Sequence, residues 1–305
     1  MKNKHSSRIH QNPSRQVFVV FNYVMLITTA FICLFPFINL LAISFSSKIA
    51  VVGGHVSLWP VGFNTKAYEF IMKNDSFARS LLVSVKRTIL GVLVNVVLII
   101  FTAYPLSKEK KDFRTRNIYS WFFVLTMLFN GGLIPTYLIV RYTGLIDSIW
   151  ALILPGSLPV FSMLVVMNYM RSLPKELEEA AYIDGATHVQ TLFRVILPVC
   201  APTLATVVLF SFVFHWNSWY DGMIYMNRVE NYPLQSYLQT VVVNPEAFFR
   251  NANSRSADLA VYLELVNAKT TNAAQLFLAI IPILCIYPFL QKYFTTGLVM
   301  GSVKG

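Results

Sequence analysis

Charged side chains are scarce in this chain: Asp, Glu, Lys and Arg make up only 13% of 305 residues, whereas 55% are hydrophobic. This composition excludes intrinsic disorder and, with a mean hydropathy of +0.56, is too apolar for an ordinary soluble domain. Cysteine is also rare. Cys33, Cys200 and Cys285 lie in apolar stretches without the spacing of metal ligands, so we expect neither a disulfide framework nor a metal site.

Motifs for catalysis are missing as well. The phosphate-binding pattern Gly-x4-Gly-Lys-Ser/Thr does not occur, and neither does His-Glu-x-x-His or a Ser/His/Asp arrangement. We therefore predict no catalytic residue, no cofactor bound by this chain and no enzymatic activity of its own. If the chain moves a solute with ATP, the ATPase is a separate protein.

Acidic residues are the less frequent charges, with 14 Asp and Glu against 25 Lys and Arg, which gives a net charge of +11. In a soluble protein such an excess could indicate a nucleic-acid partner. In a chain this apolar it instead indicates basic loops that face anionic membrane lipid. We expect lipid contact and no nucleic acid.

Six apolar stretches are long enough, or nearly so, to cross a bilayer as helices. They cover about residues 17–45, 88–106, 117–140, 148–170, 200–220 and 273–290. The first far exceeds a signal-peptide core and should stay as an anchor. The second starts earlier if Lys86 and Arg87 extend their charges to the membrane surface. The sequence therefore predicts an all-α integral membrane protein with six transmembrane helices.

The distribution of basic residues predicts the orientation. A basic N-terminal tail, residues 1–16, and the loop with Lys108, Lys110, Lys111, Arg114 and Arg116 lie on the same side as a polar segment at 171–198. By the positive-inside rule that side is cytoplasmic. Six basic residues oppose this, but they are spread over a long loop: Lys48, Lys66, Lys73, Arg79, Lys86 and Arg87. We expect both termini, including the tail 295–305, in the cytoplasm and the loop 222–272 outside.

The polar segment between Pro174 and Pro198 has the pattern of two short helices. Pro174 suits a first helical turn, and Gly185 can supply the backbone angle that ends the helix. Each helix has one apolar face: Leu173, Leu177, Ala180 and Ala181 in the first, and Val189, Leu192, Phe193 and Ile196 in the second. An amphipathic hairpin lying on the membrane surface is the alternative, although such helices are usually rich in Lys and Arg.

The spacing within this hairpin resembles the EAA loop of ABC importer permeases, the cytoplasmic element that an ATPase subunit grips. Glu179-Ala180-Ala181, Gly185 and Leu197-Pro198 match the family pattern, with Val195 in place of an isoleucine. The resemblance implies that Glu179 meets basic groups of the ATPase, that Ala180 and Ala181 allow close approach, and that Gly185 lets the helices turn. Asp184 is expected to border that turn, and Glu176 and Glu178 are expected to be merely solvated.

The segment His215–Asp221 ends the fifth apolar stretch with polar and aromatic residues. His and Asn are costly at membrane depth and are therefore functional candidates. One interpretation is a solute path formed by His215, Trp216, Asn217 and Trp219, in which rings stack on sugars and Asn217 bonds a hydroxyl. The other is an interfacial aromatic belt. Similar Trp-Asn segments in carbohydrate-importer permeases favour the path slightly.

The C-terminal sequence resembles the Gly-x-x-x-Gly-x-x-Lys-Gly tail of the maltose-transporter-type second permease. In that family the tail reaches between the ATPase subunits, which implies this contact for Gly297, Gly301, Lys304 and Gly305. Likewise, the outer loop 222–272 would meet a solute-binding protein.

Taken with Gly131–Tyr137, these motifs cover nearly the whole chain and resemble the carbohydrate branch of ABC importer permeases, in the subgroup for complex oligosaccharides. The resemblance implies a bacterial cell-membrane location, a second six-span permease, two ATPase subunits that use ATP and magnesium, and an extracytoplasmic sugar-binding protein. One alternative is an ion-driven secondary carrier, in which acidic residues within the membrane and internal repeats would be expected. The other is a membrane scaffold without transport, which leaves the hairpin and tail unexplained.

Overall fold

The structure, a computed structural model, describes residues 13–73, 75–243 and 267–302, and within these ranges it is helical and contains no β-strand. This confirms the predicted all-α fold for the described part of the chain. The helices are α1 (Pro13–Ser44), α2 (Lys48–Val52), α3 (Lys66–Met72), α4 (Asp75–Ser107), α5 (Arg116–Leu128), α6 (Leu133–Tyr142), α7 (Val160–Ser172), α8 (Glu176–Ile183), α9 (His188–Thr191), α10 (Leu197–Val199), α11 (Ala201–Asn217), α12 (Tyr220–Tyr225), α13 (Leu234–Val243) and α14 (Ala268–Ser302).

Among the residues that the structure describes, three helices are long and apolar enough to span a membrane singly: α1, α4 and the part of α14 from Ala268 to Pro288. Three more candidates are bent pairs. The bend is 113° between α5 and α6, 50° between the 3-10 segment Ile149–Gly156 and α7, and 82° between His188–Val199 and α11. The six predicted apolar stretches are thus mainly helical, three of them with a break, and they form six spans if each bent pair crosses once.

The chain divides into two compact units, residues 1–70 with 251–277 and residues 71–250 with 278–305. In the first unit, α1 exposes most of its apolar side chains, as a lipid-facing helix does. Its end is fixed locally, because Ser44 Oγ lies 2.8 Å from the Tyr68 hydroxyl and the Phe45 ring stacks on those of Phe63 and Tyr68.

The core of the second unit lies among α4, α7, α11 and the chain that leads into α11. Its buried apolar residues include Ile99, Ala103, Met163, Val166, Met167, Leu192, Ile196, Cys200 and Val207. Leu192 and Ile196 belong to a π-helical turn, Leu192–Ile196, directly after α9. Since these two side chains are buried in the core, the segment 188–196 is rooted in the helical bundle rather than attached by a loose loop.

Several elements extend beyond the predicted boundaries. Helix α4 starts at Asp75, well before the predicted start near residue 88, because polar residues of its first half are buried inside the second unit. The predicted outer loop 222–272 contains most of α12, all of α13, a 3-10 turn at Val229–Asn231 and the start of α14, and residues 244–266 are outside the described part. Helix α14 continues through Gly297 and Gly301. Lys304, Gly305 and most of the N-terminal tail lie outside the described residues.

Candidate functional site

The first helix of the predicted hairpin, α8, ends as its sequence suggests. Gly185 has a φ of +79°, the left-handed conformation that side chains disfavour. The Ala186 N–H donates to the Ala181 carbonyl at 2.9 Å, and the Gly185 N–H donates to the Tyr182 carbonyl at 3.0 Å. This pattern satisfies the last carbonyls of α8 and turns the chain into the second helix. A Cβ at Gly185 would meet nothing within 4 Å, so the turn needs glycine for its backbone angle alone.

The second helix, α9, begins with a capping box that our sequence analysis missed. Thr187 Oγ1 accepts from the Gln190 N–H at 3.3 Å, and Gln190 Oε1 accepts from the Thr187 N–H at 2.9 Å. The signal is present in the sequence as Thr-x-x-Gln. The box fixes the angle at which α9 leaves the Gly185 turn.

The predicted coupling residues are distributed over the hairpin. Glu179, Ala180, Asp184 and Gly185 are exposed on or just after α8, whereas Ala181 is buried on its inner face. Leu197 is half-buried and Pro198 exposed, both at the base of the hairpin. Ile183 adds an apolar side chain that is 86% exposed. The end of α8 therefore presents a carboxylate, small residues and an apolar tip, a combination suited to contact with another protein.

Glu178 is not solvated as expected, and that prediction was wrong. Its carboxylate lies 2.5 Å from Lys108 Nζ in the loop after α4, and both side chains are largely buried. The same ammonium group lies 4.0 Å from the centre of the Tyr104 ring. Glu176, by contrast, is exposed as predicted. The partner of Glu178 is 70 residues away in sequence, so helix periodicity alone could not reveal the pair.

Two further contacts join the hairpin to the end of α4. Lys175 pairs with Glu109, and this contact with its opposite charge raises the pKa of Lys175 and lowers that of Glu109. The Tyr104 hydroxyl donates to the His188 carbonyl at 3.3 Å. Within the hairpin, the Tyr182 hydroxyl lies 2.8 Å from His188 Nδ1. Burial is the main cause that raises the pKa of Tyr182 to about 12, so this hydroxyl keeps its proton at physiological pH.

The predicted solute-path residues face different surroundings. His215 is buried with its ring against Gly91 of α4, so close that a Cβ there would lie 2.4 Å from Nε2. Trp216 is buried too, stacks on Phe212 and donates from Nε1 to the Ala279 carbonyl at 3.1 Å. Asn217 and Trp219 are exposed. The four side chains therefore do not line one surface: two hold α11 in place and two are accessible.

Arg87 is a residue whose environment the sequence analysis did not foresee. Rather than extending to the membrane surface, its side chain is fully buried and pairs with Asp221. Its guanidinium also donates to the Ser218 carbonyl at 3.1 Å and to the Leu152 carbonyl at 3.4 Å. Both terminal amino groups of the guanidinium thus have protein acceptors, whereas the buried Nε has none.

Residues 218–222, which we call the polar corner, are fixed around this pair. Asp221 Oδ1 accepts from Ser218 Oγ at 3.0 Å and from the Gly222 N–H at 2.9 Å. Ser236 Oγ donates to the Trp219 carbonyl at 2.6 Å, and it lies so close to Gly222 that a Cβ could not fit. The corner therefore holds the exposed Asn217 and Trp219 on an ordered backbone.

A second ordered region, the Asp147 clamp, joins residues 143–148 to 225–231. Asp147 Oδ1 accepts from the backbone N–H groups of Asn227 and Arg228 at 3.2 and 3.3 Å and from Asn231 Nδ2 at 2.9 Å. Arg228 Nε lies 3.2 Å from Oδ2. Burial alone would raise the pKa of Asp147, but the hydrogen bonds and the charge of Arg228 outweigh it, and the pKa is lowered.

Metal binding has no candidate in the part of the chain that the structure describes, where no three His, Cys, Asp or Glu side chains lie together in a suitable cluster. The exposed polar and apolar groups of the hairpin and the polar corner are suited to binding another molecule.

Comparison with known proteins gives relatives over the full length. The chain is 36% identical over 290 residues to the polygalacturonan/rhamnogalacturonan transport system permease protein YtcP of Bacillus subtilis, covering 95% of this chain and 99% of the relative. It is 35% identical to the protein LplC of the same organism, covering 97% and 98%. These high coverages indicate that the whole chain, and not one segment, is shared with its relatives.

Solved structures also match over most of the chain. One chain of a bacterial ABC transporter involved in the import of the acidic polysaccharide alginate superimposes with a TM-score of 0.84 at 31% identity, covering 93% of this chain and 99% of that one. A chain from a bacterial alginate ABC transporter in complex with an alginate pentasaccharide-bound periplasmic protein has a TM-score of 0.55 at 15% identity, which supports the fold alone.

Residues 10–219 match the family described as binding-protein-dependent transport system inner membrane component. This match includes the hairpin and ends within the polar corner. With the apolar helices and the full-length relatives, it shows that the chain is a multi-pass membrane protein that belongs to the inner membrane components of binding-protein-dependent transport systems.

Proposed function

We propose that this chain is one permease subunit of a bacterial ATP-driven importer for oligosaccharides. The observation that carries the proposal is the hairpin, which exposes Glu179, Ala180 and Gly185 at its tip and is rooted in the helical core by Leu192 and Ile196. Relatives named for sugar transport support the substrate class, among them the melibiose/raffinose/stachyose import permease protein MelC of Bacillus subtilis, at 27% identity over 88% of this chain.

In this proposal an ATPase subunit docks on the hairpin. Glu179 meets basic groups, Ala180 and Ala181 keep the backbones close, and Asp184 and Gly185 form the turn at the tip. Leu197 and Pro198 connect the docked element to α11. The C-terminal residues Gly297, Gly301, Lys304 and Gly305 contact the ATPase subunits as well. ATP and magnesium bind to those subunits, and this chain contributes the transmembrane path.

The proposed assembly contains this chain, a second six-span permease, two ATPase subunits and an extracytoplasmic sugar-binding protein. The hairpin lies in the cytoplasm together with both termini. The loop 222–272 and the Asp147 clamp then face outward, where the binding protein delivers its sugar. The basic N-terminal tail and the basic loop after α4 support this orientation through the positive-inside rule.

For the solute path we propose separate roles within the predicted set. Asn217 and Trp219 are accessible and offer an amide and an aromatic face, the groups that bind sugar hydroxyls and sugar rings. His215 and Trp216 hold α11 against Gly91 and Ala279 and thereby fix where the accessible pair lies.

An acidic oligosaccharide is the first substrate to test. The alginate importer, whose substrate is described as an acidic polysaccharide, matches at 31% identity, and the polygalacturonan/rhamnogalacturonan permease matches at 36%. Competition between an acidic and a neutral oligosaccharide of equal length, in cells that depend on this permease for uptake, decides the point. Preference for the neutral sugar would contradict the acidic assignment without affecting the transport function.

The experiment that tests the function is affinity purification of the tagged chain from its native membrane in mild detergent, followed by mass spectrometry and ATP-dependent uptake in proteoliposomes. We expect a second permease and an ATPase to accompany the chain. Repeated recovery of the chain alone, with uptake that collapses when ion gradients are dissipated, would instead establish a secondary carrier.

A further inference from the structure

The loop between α4 and α5, residues 108–115, lies against the hairpin. The proposed docking of an ATPase does not by itself explain this contact. We propose that Lys108 and Glu178 form a latch that transmits movement of the hairpin into α4. The two are positioning residues: they touch neither ATP nor sugar. The proposal rests on the proposed function, since it assigns the route by which force from the ATPase reaches the spanning helices.

The ion pair between Lys108 and Glu178 is largely buried. The Lys108 side chain is 14% exposed and that of Glu178 is 26% exposed. Exposed ion pairs contribute little because water and salt screen them, whereas a largely dehydrated pair is screened much less. The position of the Lys108 ammonium over the Tyr104 ring adds a cation–π contact on the α4 side. The pair Lys175–Glu109 is far more exposed and is therefore the weaker contact.

The backbone around Lys108 is fixed by hydrogen bonds from two neighbouring helices. Its carbonyl accepts from Arg116 Nη1 at 2.6 Å, and the Leu106 carbonyl accepts from Arg171 Nη2 at 2.7 Å. These bonds tie the start of the loop to α5 and α7. Movement of Glu178 is therefore passed to the end of α4 instead of being absorbed by a mobile loop.

The end of α4 and the loop directly after it together contact both helices of the hairpin. Lys108 holds α8 through Glu178, and Tyr104 holds α9 through the His188 carbonyl. Contacts to both helices restrict rotation of the hairpin about its own axis as well as its translation. When the hairpin shifts, either the latch breaks or α4 follows.

Helix α4 leads from the hairpin to the polar corner. Arg87, on the same helix, is bonded to Asp221 in the polar corner. The 21 positions between Arg87 and Lys108 correspond to about 30 Å of helix. One continuous element, Asp75–Ser107, thus joins the hairpin to the residues next to Asn217 and Trp219. Coupling requires that contacts differ between conformational states, and the latch is a contact that both the ATPase and the path can bias.

The test uses the complete transporter in proteoliposomes and measures both ATP hydrolysis and sugar uptake. Lys108→Glu and Glu178→Lys should each retain ATPase binding and hydrolysis but lower the uptake per ATP by about fivefold. The double variant Lys108→Glu/Glu178→Lys restores opposite charges and should return the ratio to within about twofold of the wild type. Lys110→Glu, an exposed lysine in the same loop, is the matched control and should leave the ratio unchanged.

The outcomes separate the latch from the function on which it rests. If the wild type couples and Lys108→Glu behaves like Lys110→Glu, the latch is wrong while the importer stands. If the double variant is no better than the single ones although the complex is intact, the latch is equally wrong. A wild type that binds no ATPase would overturn the proposed function, and the latch with it. Glu178→Gln, which keeps the shape of the side chain, should lower the ratio in the same direction as Glu178→Lys.

Discussion

Arg87 and Asp221, 134 residues apart in sequence, form an ion pair in which each guanidinium amino group contacts a different carboxylate oxygen. Arg87 is fully buried, whereas the Asp221 side chain is 22% exposed. This geometry is the strong, two-point form of the arginine–carboxylate contact. The pair joins the middle of α4 to the polar corner after α11. The buried guanidinium charge is tolerated in the interior only while the Asp221 carboxylate is present.

Removal of the carboxylate should be costly for stability. In Asp221→Leu the guanidinium stays buried without a counter-charge, and we expect a loss of about 3 kcal/mol in the free energy of unfolding. Thermal unfolding in detergent measures it. The double variant Arg87→Met/Asp221→Leu should be more stable than Asp221→Leu alone, because no orphaned charge remains.

The control for this series is Lys86→Met, a neighbouring exposed residue, which should change stability by no more than about 0.5 kcal/mol. Equal stability of Asp221→Leu and Lys86→Met would show that the ion pair contributes nothing.

Gly91 should tolerate no side chain. A Cβ at this position would lie 2.4–2.6 Å from three atoms of the His215 ring, so α4 and α11 would have to separate. We expect Gly91→Ala to lower stability by about 1–3 kcal/mol, the usual cost of overpacking. Adding His215→Ala should recover part of this loss by vacating the space.

Gly131→Ala offers the comparison for Gly91, since its new Cβ would lie 3.7 Å from the nearest neighbour, Pro135, at ordinary contact distance. Thermal unfolding of the two alanine variants side by side should separate them clearly. Indistinguishable melting temperatures would contradict the close helix approach.

Substitutions on the exposed face of α8 and at the Gly185 turn should affect transport much more than folding. Gly185→Leu places a side chain at φ +79°, which strains the turn by about 1–2 kcal/mol but meets no neighbouring atom. Glu179→Lys reverses an exposed charge. Both should lower sugar uptake by about tenfold or more while membrane insertion stays normal.

For the hairpin series the control is Glu176→Lys, which reverses an exposed charge on the same helix outside the motif. Uptake and ATPase co-purification should be measured together. Normal uptake in both Gly185→Leu and Glu179→Lys would end the docking assignment.

The Asp147 clamp should weaken in acid. Its hydrogen bonds hold the pKa of the folded carboxyl below the ordinary 3.8, so the clamp is complete above that value and is lost as the pH falls through the lower, folded pKa. At neutral pH, Asp147→Ala should remove the acceptor of the Asn227 and Arg228 amides and speed their hydrogen exchange. Unchanged protection of these two amides in the variant would show that Asp147 does not order them.

The sequence predicted those parts of the fold that depend on local pattern. The apolar stretches are helical, and the turn at Gly185 lies where the spacing placed it, since glycine there supplies a left-handed angle. The capping box at Thr187 and Gln190 could also have been recognised from the sequence pattern but was overlooked.

What the sequence could not reveal depends on distant partners. Glu178 was assigned to solvent and Arg87 to the membrane surface because each residue, considered alone, prefers water. Their partners Lys108 and Asp221 lie 70 and 134 residues away, and only the packing of α4 against the hairpin and α11 brings them together. The division of His215–Trp219 into buried and accessible members has the same origin.

The Asp147 clamp has one more consequence. It connects two stretches about 80 residues apart through a single aspartate, so their backbones are already ordered before any other molecule arrives. A protein that lands on this surface finds a preorganised partner and loses little loop entropy on association. The contact area can then be small and the complex can still form quickly. This suits an encounter that must be repeated with every solute carried.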